Sequence, residues 1–290
     1  PDFFEAHLNL GTILEAMNRG EDALACWNDA LRKDAILAPA NLPNRLRLIN
    51  NVGRLKEKLR DYAGAEAALY ESLLLDIDQS PVLHHWIHLR QKQCKWPVIE
   101  GLPTDIDAVM QHASPLAMLG LTDDPALQRR SAEKFVKEKV GAFERMVPSA
   151  LRYGHDKIRI GYLSSDLSMH AVSLLTVELY ETHDRSRFEV HAFCWSKEDG
   201  THFRERVRRA FDHFHKIGGL DDEAAAKLIR EKEIDILVDL QGLTGNARPN
   251  ILAHGPAPIQ IAWLGYPGTT GLPYVDYVVA DRFIFPEELK

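Results

Sequence analysis

Two patterns of apolar residues divide the chain. Through residues 1–80 apolar and small residues recur every three or four positions, the period of a helix with one buried face. From residue 156 the apolar residues gather instead in short runs, "KIRIGYL", "RFEVHAFCWS", "IDILVDLQG", "PIQIAWLGY" and "VDYVVADRFIF". Segments of helical character lie between them: one from about Ser173, then "THFRERVRRAFDHFH" and "DDEAAAKLIREKE". The last has an acidic first turn and basic residues later, as the helix dipole favours. Strands that are apolar throughout and alternate with helices predict a parallel sheet covered on both faces. The second half is expected to be a doubly wound, Rossmann-like α/β domain.

The helical half repeats itself. In "AHLNLGTILEAMNRGEDALACWNDAL", Leu8, Gly11, Ala23, Trp27 and Ala30 stand at helix-pair spacings. "LRLINNVGRLKEKLRDYAGAEAALYESL" repeats the design with Leu48, Val52, Gly53, Ala65, Leu69 and Ser72. The small residues let two antiparallel helices approach, and the large ones fill the groove of the next pair. The pattern resembles the tetratricopeptide repeat. Gly11 and Gly53 are 42 residues apart, against about 34 in that repeat. The surplus is assigned to "ILAPANLPN", where Pro39 and Pro43 are expected to break helix. Two repeats are few for such an array, so more are expected before Pro1, and the chain reads as a fragment.

Residues 81–153 stay helical without the repeat and read as a connector. "SPVLHHWIHLRQKQCKWPVIEGLP" opens on a Ser-Pro helix start and ends at Pro97; "DDPALQRRSAEKFVKEKV" opens on a cap followed by Pro. His84 and His88 are one helical turn apart, but no third ligand is evident, which favours packing or surface roles. The expected organisation is tetratricopeptide-like repeats over 1–80, the connector over 81–153 and the α/β lobe over 154–290.

Composition narrows the classes. A chain of 290 residues has room for about two domains. The net charge of −7 argues against a general nucleic-acid binder. No apolar run reaches the ~18 residues that would span a bilayer. Cys26, Cys94 and Cys194 are widely spread, odd in number and without a CxxC pair. They read as small buried hydrophobes in a reducing, cytoplasmic protein.

In doubly wound sheets ligands bind beyond the carboxyl ends of the strands. That rule selects "SSDLSMH" (164–170), "CWSKEDGTHF" (194–203), "DLQGLTGNARP" (239–249) and "GYPGTTG" (265–271). The first turn lacks G-x-G-x-x-G, which counts against a dinucleotide enzyme. There is no P-loop and no G-x-S-x-G elbow, so an ATPase and an α/β-hydrolase are disfavoured. His170 stands at the entry to the first helix of the α/β half. Neutral imidazole there suits a phosphate or sugar hydroxyl, or a base near neutral pH; the competing role is a cap or packing residue. "GLTGNARP" offers amides of Gly242 and Gly245 and the Thr244 hydroxyl for an anionic oxygen, or is simply a turn that needs glycine. Asp235 is expected far from the crevice, and Asp239 nearer it, with capping of the turn as the competing role.

"HGPAPIQIAWLGYPGTTG", with "IRIGYLSSDLSMHAVS" and "ILVDLQGLTGNARPNILAHGPAP", resembles the O-linked N-acetylglucosamine transferases, including bacterial members with tetratricopeptide repeats. "HWIHLRQKQCKWPV" and "SPLAML" resemble their connector segments. The resemblance implies the N-terminal lobe of a GT-B fold, with the second lobe and its leaving-group lysine beyond Lys290. It implies transfer of a sugar, foremost N-acetylglucosamine from UDP-GlcNAc, to Ser or Thr hydroxyls with inversion, with no cofactor and no metal. The partners it implies are protein acceptors held by the repeats and a nucleotide sugar, with no nucleic acid and no membrane. His170 matches the family histidine once proposed as base, although Ala171 follows it where Pro is frequent. Thr244 matches a threonine near the donor, and Leu264, Gly265, Tyr266, Pro267, Gly268 and Thr269 match the loop beside the donor sugar. Leu243 stands where some relatives carry His, which removes one candidate base and disfavours fucose-type relatives. A fucose or glucose donor, or a non-catalytic repeat scaffold, are the competing readings.

Overall fold

The computed structural model describes residues 3–287. The chain forms two compact units, Pro1–Asp123 and Asp124–Lys290. The stretch 81–153 is thus shared between them rather than forming a body of its own.

In the first unit, helices α1 (Phe4–Ala16) and α2 (Gly20–Leu31) pack as a pair, and α3 (Leu42–Lys58) and α4 (Tyr62–Leu75) repeat the arrangement. Leu8, Gly11, Ala23, Trp27 and Ala30 are all buried. A Cβ on Gly11 would lie 2.1 Å from Trp27 Nε1. The indole therefore lies against bare backbone, and its N–H donates to the Leu8 carbonyl at 3.3 Å. Gly53 plays the same part beneath Leu69, where a Cβ would lie 2.6 Å from Cδ2. Between the pairs the chain makes two short 3-10 turns, Asp34–Leu37 and Pro39–Asn41. Pro43 differs from expectation: it sits in the first turn of α3, where a missing N–H costs no hydrogen bond. Helices α5 (Ser80–Lys92), α6 (Ile106–His112) and α7 (Pro115–Met118) complete the unit. Leu83, Trp86 and Ile87 of α5 join Leu69 and Leu73 of α4 in one core. Cys94, expected inside, is exposed, in a left-handed turn (φ 55°) just past α5.

The second unit begins with α8 (Pro125–Lys139) and then alternates: β1 (Ile158–Ser164), α9 (Ala171–Thr182), β2 (Phe188–Cys194), α10 (His202–Arg209), β3 (His213–Lys216), α11 (Asp222–Glu231), β4 (Ile236–Asp239), α12 (Pro249–Ala253), β5 (Ile259–Trp263) and β6 (Tyr277–Val279). All neighbouring strands are parallel, in the order β3-β2-β1-β4-β5-β6. One face packs Ile160, Tyr162, Val190 and Val238 against Val177 and Tyr180 of α9 and Val207 of α10. The other packs Leu163, Phe193 and Leu237 against Ala226 and Ile229 of α11 and Ile251 and Leu252 of α12. This is the doubly wound sheet expected from the apolar runs.

Two elements depart from the sequence reading. The strand expected over "VDYVVADRFIF" is confined to Tyr277–Val279, an edge strand whose three residues are exposed rather than covered. The second is the helix expected over 201–215. "THFRERVRRAFDHFH" is helical only to Arg209, and its last residues open the edge strand β3. The helical stripe ends at Val207, which is buried. Past Phe211 the period is two, with Phe214 turned into the first core and His213 and His215 on the other face. Four residues, three of them polar, are too few for an apolar run to announce.

Candidate active site at the switch point of the sheet

Successive strands run outward from β1 in one direction and from β4 in the other, so the order reverses between these neighbours. Loops leaving such a switch point diverge and open a ligand site at the carboxyl ends. The register pairs Leu163 with Asp239. Ser164 and Ser165 therefore leave β1 beside Leu240 and Gln241 leaving β4.

Gln241 joins the two loops. It is 3% exposed. Its Oε1 accepts from the Ser165 amide at 3.0 Å and from the Ser164 hydroxyl at 3.3 Å. The Ser165 hydroxyl lies 3.0 Å from the same oxygen and 2.8 Å from Asp166 Oδ1, with one proton to give. Nε2 donates to Thr244 Oγ1 at 2.8 Å and to the Gly245 carbonyl at 3.0 Å. Sequence reasoning passed over Gln241; the available signal was an amide side chain directly after an apolar strand.

Asp239 supports the same turn from below. Its oxygens accept the Gln241 amide at 3.1 Å and the Gly242 amide at 2.8 Å. Burial pushes this carboxyl up to about 6, against the pull of the two amides. Asp239 is thus the turn cap that was one of its two expected roles. Asp235 lies at the amino end, accepting the Arg159 amide at 2.9 Å. The expected ligand donors in "GLTGNARP" are largely committed within the turn. The Gly242 amide goes to Asp239, and the Thr244 hydroxyl donates to the Gln241 carbonyl at 2.9 Å.

The other two stretches join this pair. Asp199 Oδ2 accepts the Met169 amide at 2.9 Å, and buried Arg204 binds the Leu167 carbonyl and the Ser196 hydroxyl. Trp195 Nε1 donates to the Asn246 carbonyl at 3.0 Å. The loop after β5 lies directly on the loop after β4. A Cβ on Gly265 would fall 1.7 Å from the Leu240 carbonyl oxygen. Gly242, at φ 55°, faces the Tyr266 Cβ, 2.3 Å from where its own would be. Leu264 takes a left-handed conformation (φ 65°) to enter this contact. Burial raises the Tyr266 hydroxyl to about 12, so it stays protonated at neutral pH. Gly268 is half-buried, and Pro267 and Thr269 are exposed at the loop's tip.

His170 is the N-cap of α9. Its Nδ1 accepts the Val172 amide at 3.3 Å and lies 3.8 Å from Asp166 Oδ2. While Nδ1 accepts, a neutral ring carries its proton on Nε2. The side chain is about half exposed. In this geometry the imidazole is a hydrogen-bond donor beside the positive end of a helix, and the capping role weighed in the sequence is realised.

A parallel sheet with helices on both faces, and four polar or glycine-rich loops gathered at its switch point, define a protein of the doubly wound, Rossmann-like α/β class. The sequence pattern of glycosyl transferase family 41 matches residues 111–290. The chain belongs to that family. It is 30% identical over 219 residues to the probable UDP-N-acetylglucosamine–peptide N-acetylglucosaminyltransferase SEC of Arabidopsis thaliana, covering 69% of this chain and 22% of that protein. It is 40% identical over 134 residues to the UDP-N-acetylglucosamine–peptide N-acetylglucosaminyltransferase of Caenorhabditis elegans, covering 46% of this chain and 12% of that protein. The chain therefore spans less than a quarter of the length of either relative. A solved mutant of the Thermobaculum terrenum O-GlcNAc transferase shares its fold, with a TM-score of 0.65 at 22% identity over 96% of this chain and 53% of that one. Among the described residues no helix is long and apolar enough to cross a membrane.

Proposed function

We propose that the protein transfers a sugar from a nucleotide donor to Ser or Thr hydroxyls of polypeptides, with UDP-GlcNAc as donor and inversion at the anomeric carbon. The observation that carries this reading is the loop cluster at the switch point, in a chain of glycosyl transferase family 41. The names of both relatives, UDP-N-acetylglucosamine–peptide N-acetylglucosaminyltransferases, support the donor and the peptide acceptor.

The chemistry asks for three things. The acceptor hydroxyl must lose its proton as it attacks the anomeric carbon, the diphosphate must be stabilised as it leaves, and the sugar must be held between them. The first turn of α9 favours negative charge, which suits a donor phosphate. His170 Nε2–H would donate to a phosphate or sugar oxygen there. It would act as a donor rather than a base, because the lone pair free to take a proton is the one on Nδ1, and a proton there would put an imidazolium at the positive helix end and break the bond to the Val172 amide. Leu264 to Thr269 would form the wall beside the sugar, held in place by the Gly265 and Gly242 contacts. The helix pairs of the first unit would present the polypeptide, as repeat surfaces do.

The test is incubation of the whole protein with peptide libraries and a panel of UDP-, GDP- and other nucleotide sugars, read by mass spectrometry. The expected result is addition of one N-acetylhexosamine to Ser or Thr from UDP-GlcNAc. Addition of fucose or hexose alone would replace the donor. Failure of every donor would remove the function.

A further inference from the structure

The far side of the lobe carries a cluster unrelated to the switch point. Glu189 and His191 stand two apart on β2 and so share a face. His191 pairs in register with His213 on β3, which brings the two imidazoles side by side, ring centroids 4.6 Å apart. His191 Nε2 lies 2.9 Å from Glu189 Oε1, and His213 Nε2 lies 3.1 Å from the same oxygen. One atom from each residue falls within 4.8 Å of the others.

We infer that Glu189, His191 and His213 form a binding site for a zinc-type divalent cation that clamps the edge strand β3 to β2. Two imidazoles and a carboxylate are a zinc donor set. With Zn–N and Zn–O bonds near 2.0–2.1 Å, neighbouring ligand atoms of a tetrahedron sit about 3.3 Å apart. The contacts at 2.9 and 3.1 Å to Glu189 Oε1 need a few tenths of an ångström of spreading, and the two imidazole nitrogens, within 4.8 Å of each other, draw together on the ion as the exposed His213 side chain turns in. In the metal-free chain those contacts are hydrogen bonds through protons on the imidazole nitrogens. Binding the cation moves the protons off Nε2, to Nδ1 or to solvent, and leaves both lone pairs on the metal.

The surroundings fit a built site. His191 is 3% exposed, and its Nδ1 lies 3.2 Å from His215 Nε2, the outer hydrogen bond that orients a ligating ring. The Arg159 guanidinium lies 3.5 Å from the second oxygen, Glu189 Oε2. It fixes the carboxylate and also repels a cation, which keeps the affinity moderate. His213 is half exposed and gives the ion its way in. A fourth position is left for water. The cluster lies toward the amino ends of the strands, so the cation would hold the fold rather than act on the donor. A four-residue edge strand gains most from such a clamp. The sequence carries the site as E-x-H in one strand and H-x-H in the next, a signal masked because 213–215 continues a helical pattern.

Calorimetric titration of the 290-residue chain with Zn²⁺ is the test, with cobalt as spectroscopic probe. We expect one equivalent bound with proton release, d–d absorption of tetrahedral Co²⁺, and a rise in thermal midpoint. His213→Ala, at an exposed position that should fold, and Glu189→Gln should each weaken binding at least tenfold. His88→Ala, outside the cluster, should leave it unchanged. Absence of binding by the folded chain, or binding that survives His213→Ala and Glu189→Gln, would overturn the assignment.

Discussion

Replacing Gln241 by Ala severs the link between the loops after β1 and β4. The Ser165 amide, in a residue 9% exposed, loses its acceptor, and the Ser164 hydroxyl beneath it, fully buried, loses the same oxygen. A buried donor left unpaired costs about 1–3 kcal/mol. The truncated side chain also leaves a small void, which adds to that cost. The Nε2 bonds to Thr244 and Gly245 lie where water can replace them and add little. We expect a loss of about 3 kcal/mol. For a unit of this size that is a fall of about 6–12 °C in its unfolding midpoint. Hydrogen exchange read by mass spectrometry should show faster exchange over residues 164–168 and 241–246, with the β2–β3 half of the sheet little changed. Gln241→Met, which keeps the volume but not the bonds, should recover the packing part only. If Gln241→Ala costs under about 0.5 kcal/mol and leaves exchange at 164–168 unchanged, the two loops are held by something else and the argument fails.

Three further outcomes follow from the same geometry. His170→Ala should lower sugar transfer by the whole protein tenfold or more while costing only about 1 kcal/mol of stability through the lost cap, checked by steady-state kinetics beside thermal unfolding; unchanged kinetics would remove His170 from the site. Gly265→Ala puts a methyl group into the Leu240 carbonyl, so it should destabilise by about 1–3 kcal/mol and raise the KM for donor; a variant with wild-type stability and KM would contradict the contact. Asp239 has its carboxyl raised to about 6 when folded, from 3.8, so the folded lobe holds that proton more tightly than the unfolded chain. Its share of stability therefore grows as pH falls from about 6 to about 4, by about 3 kcal/mol at most. Difference melts of wild type against Asp239→Asn across that range should show the slope, and a flat difference would refute it.

Much of this fold could be read in the sequence because it rests on local pattern. Helix spacing picked out Gly11, Trp27, Gly53 and Leu69 as packing positions, although Trp27 and Leu69 lie on the glycines of their own pairs and not only in the groove of the next. Strands β1, β2 and β4 are buried along consecutive residues, so on both faces, and β5 is at least partly covered throughout, so their apolar runs stood out. The edge strand β3 hid because only Phe214 of its four residues meets the core. The gathering of four loops followed from the carboxyl-end rule, whereas their wiring did not. Gln241 reaches Ser165 because the register sets Leu163 against Asp239, and register is a property of the assembled sheet. The Thr244 hydroxyl and the Gly242 amide read as ligand donors from sequence because residue type shows a donor but not its acceptor, and the turn's own backbone conformation brings the Gln241 carbonyl and Asp239 Oδ2 to them.

The central claim is that the donor sits on the loops at the switch point. Hydrogen exchange of the whole protein, with and without saturating UDP-GlcNAc, tests it most directly. The account predicts slower exchange on binding over residues 165–172 and 264–269. Binding or transfer of the sugar with no protection in either stretch would contradict it.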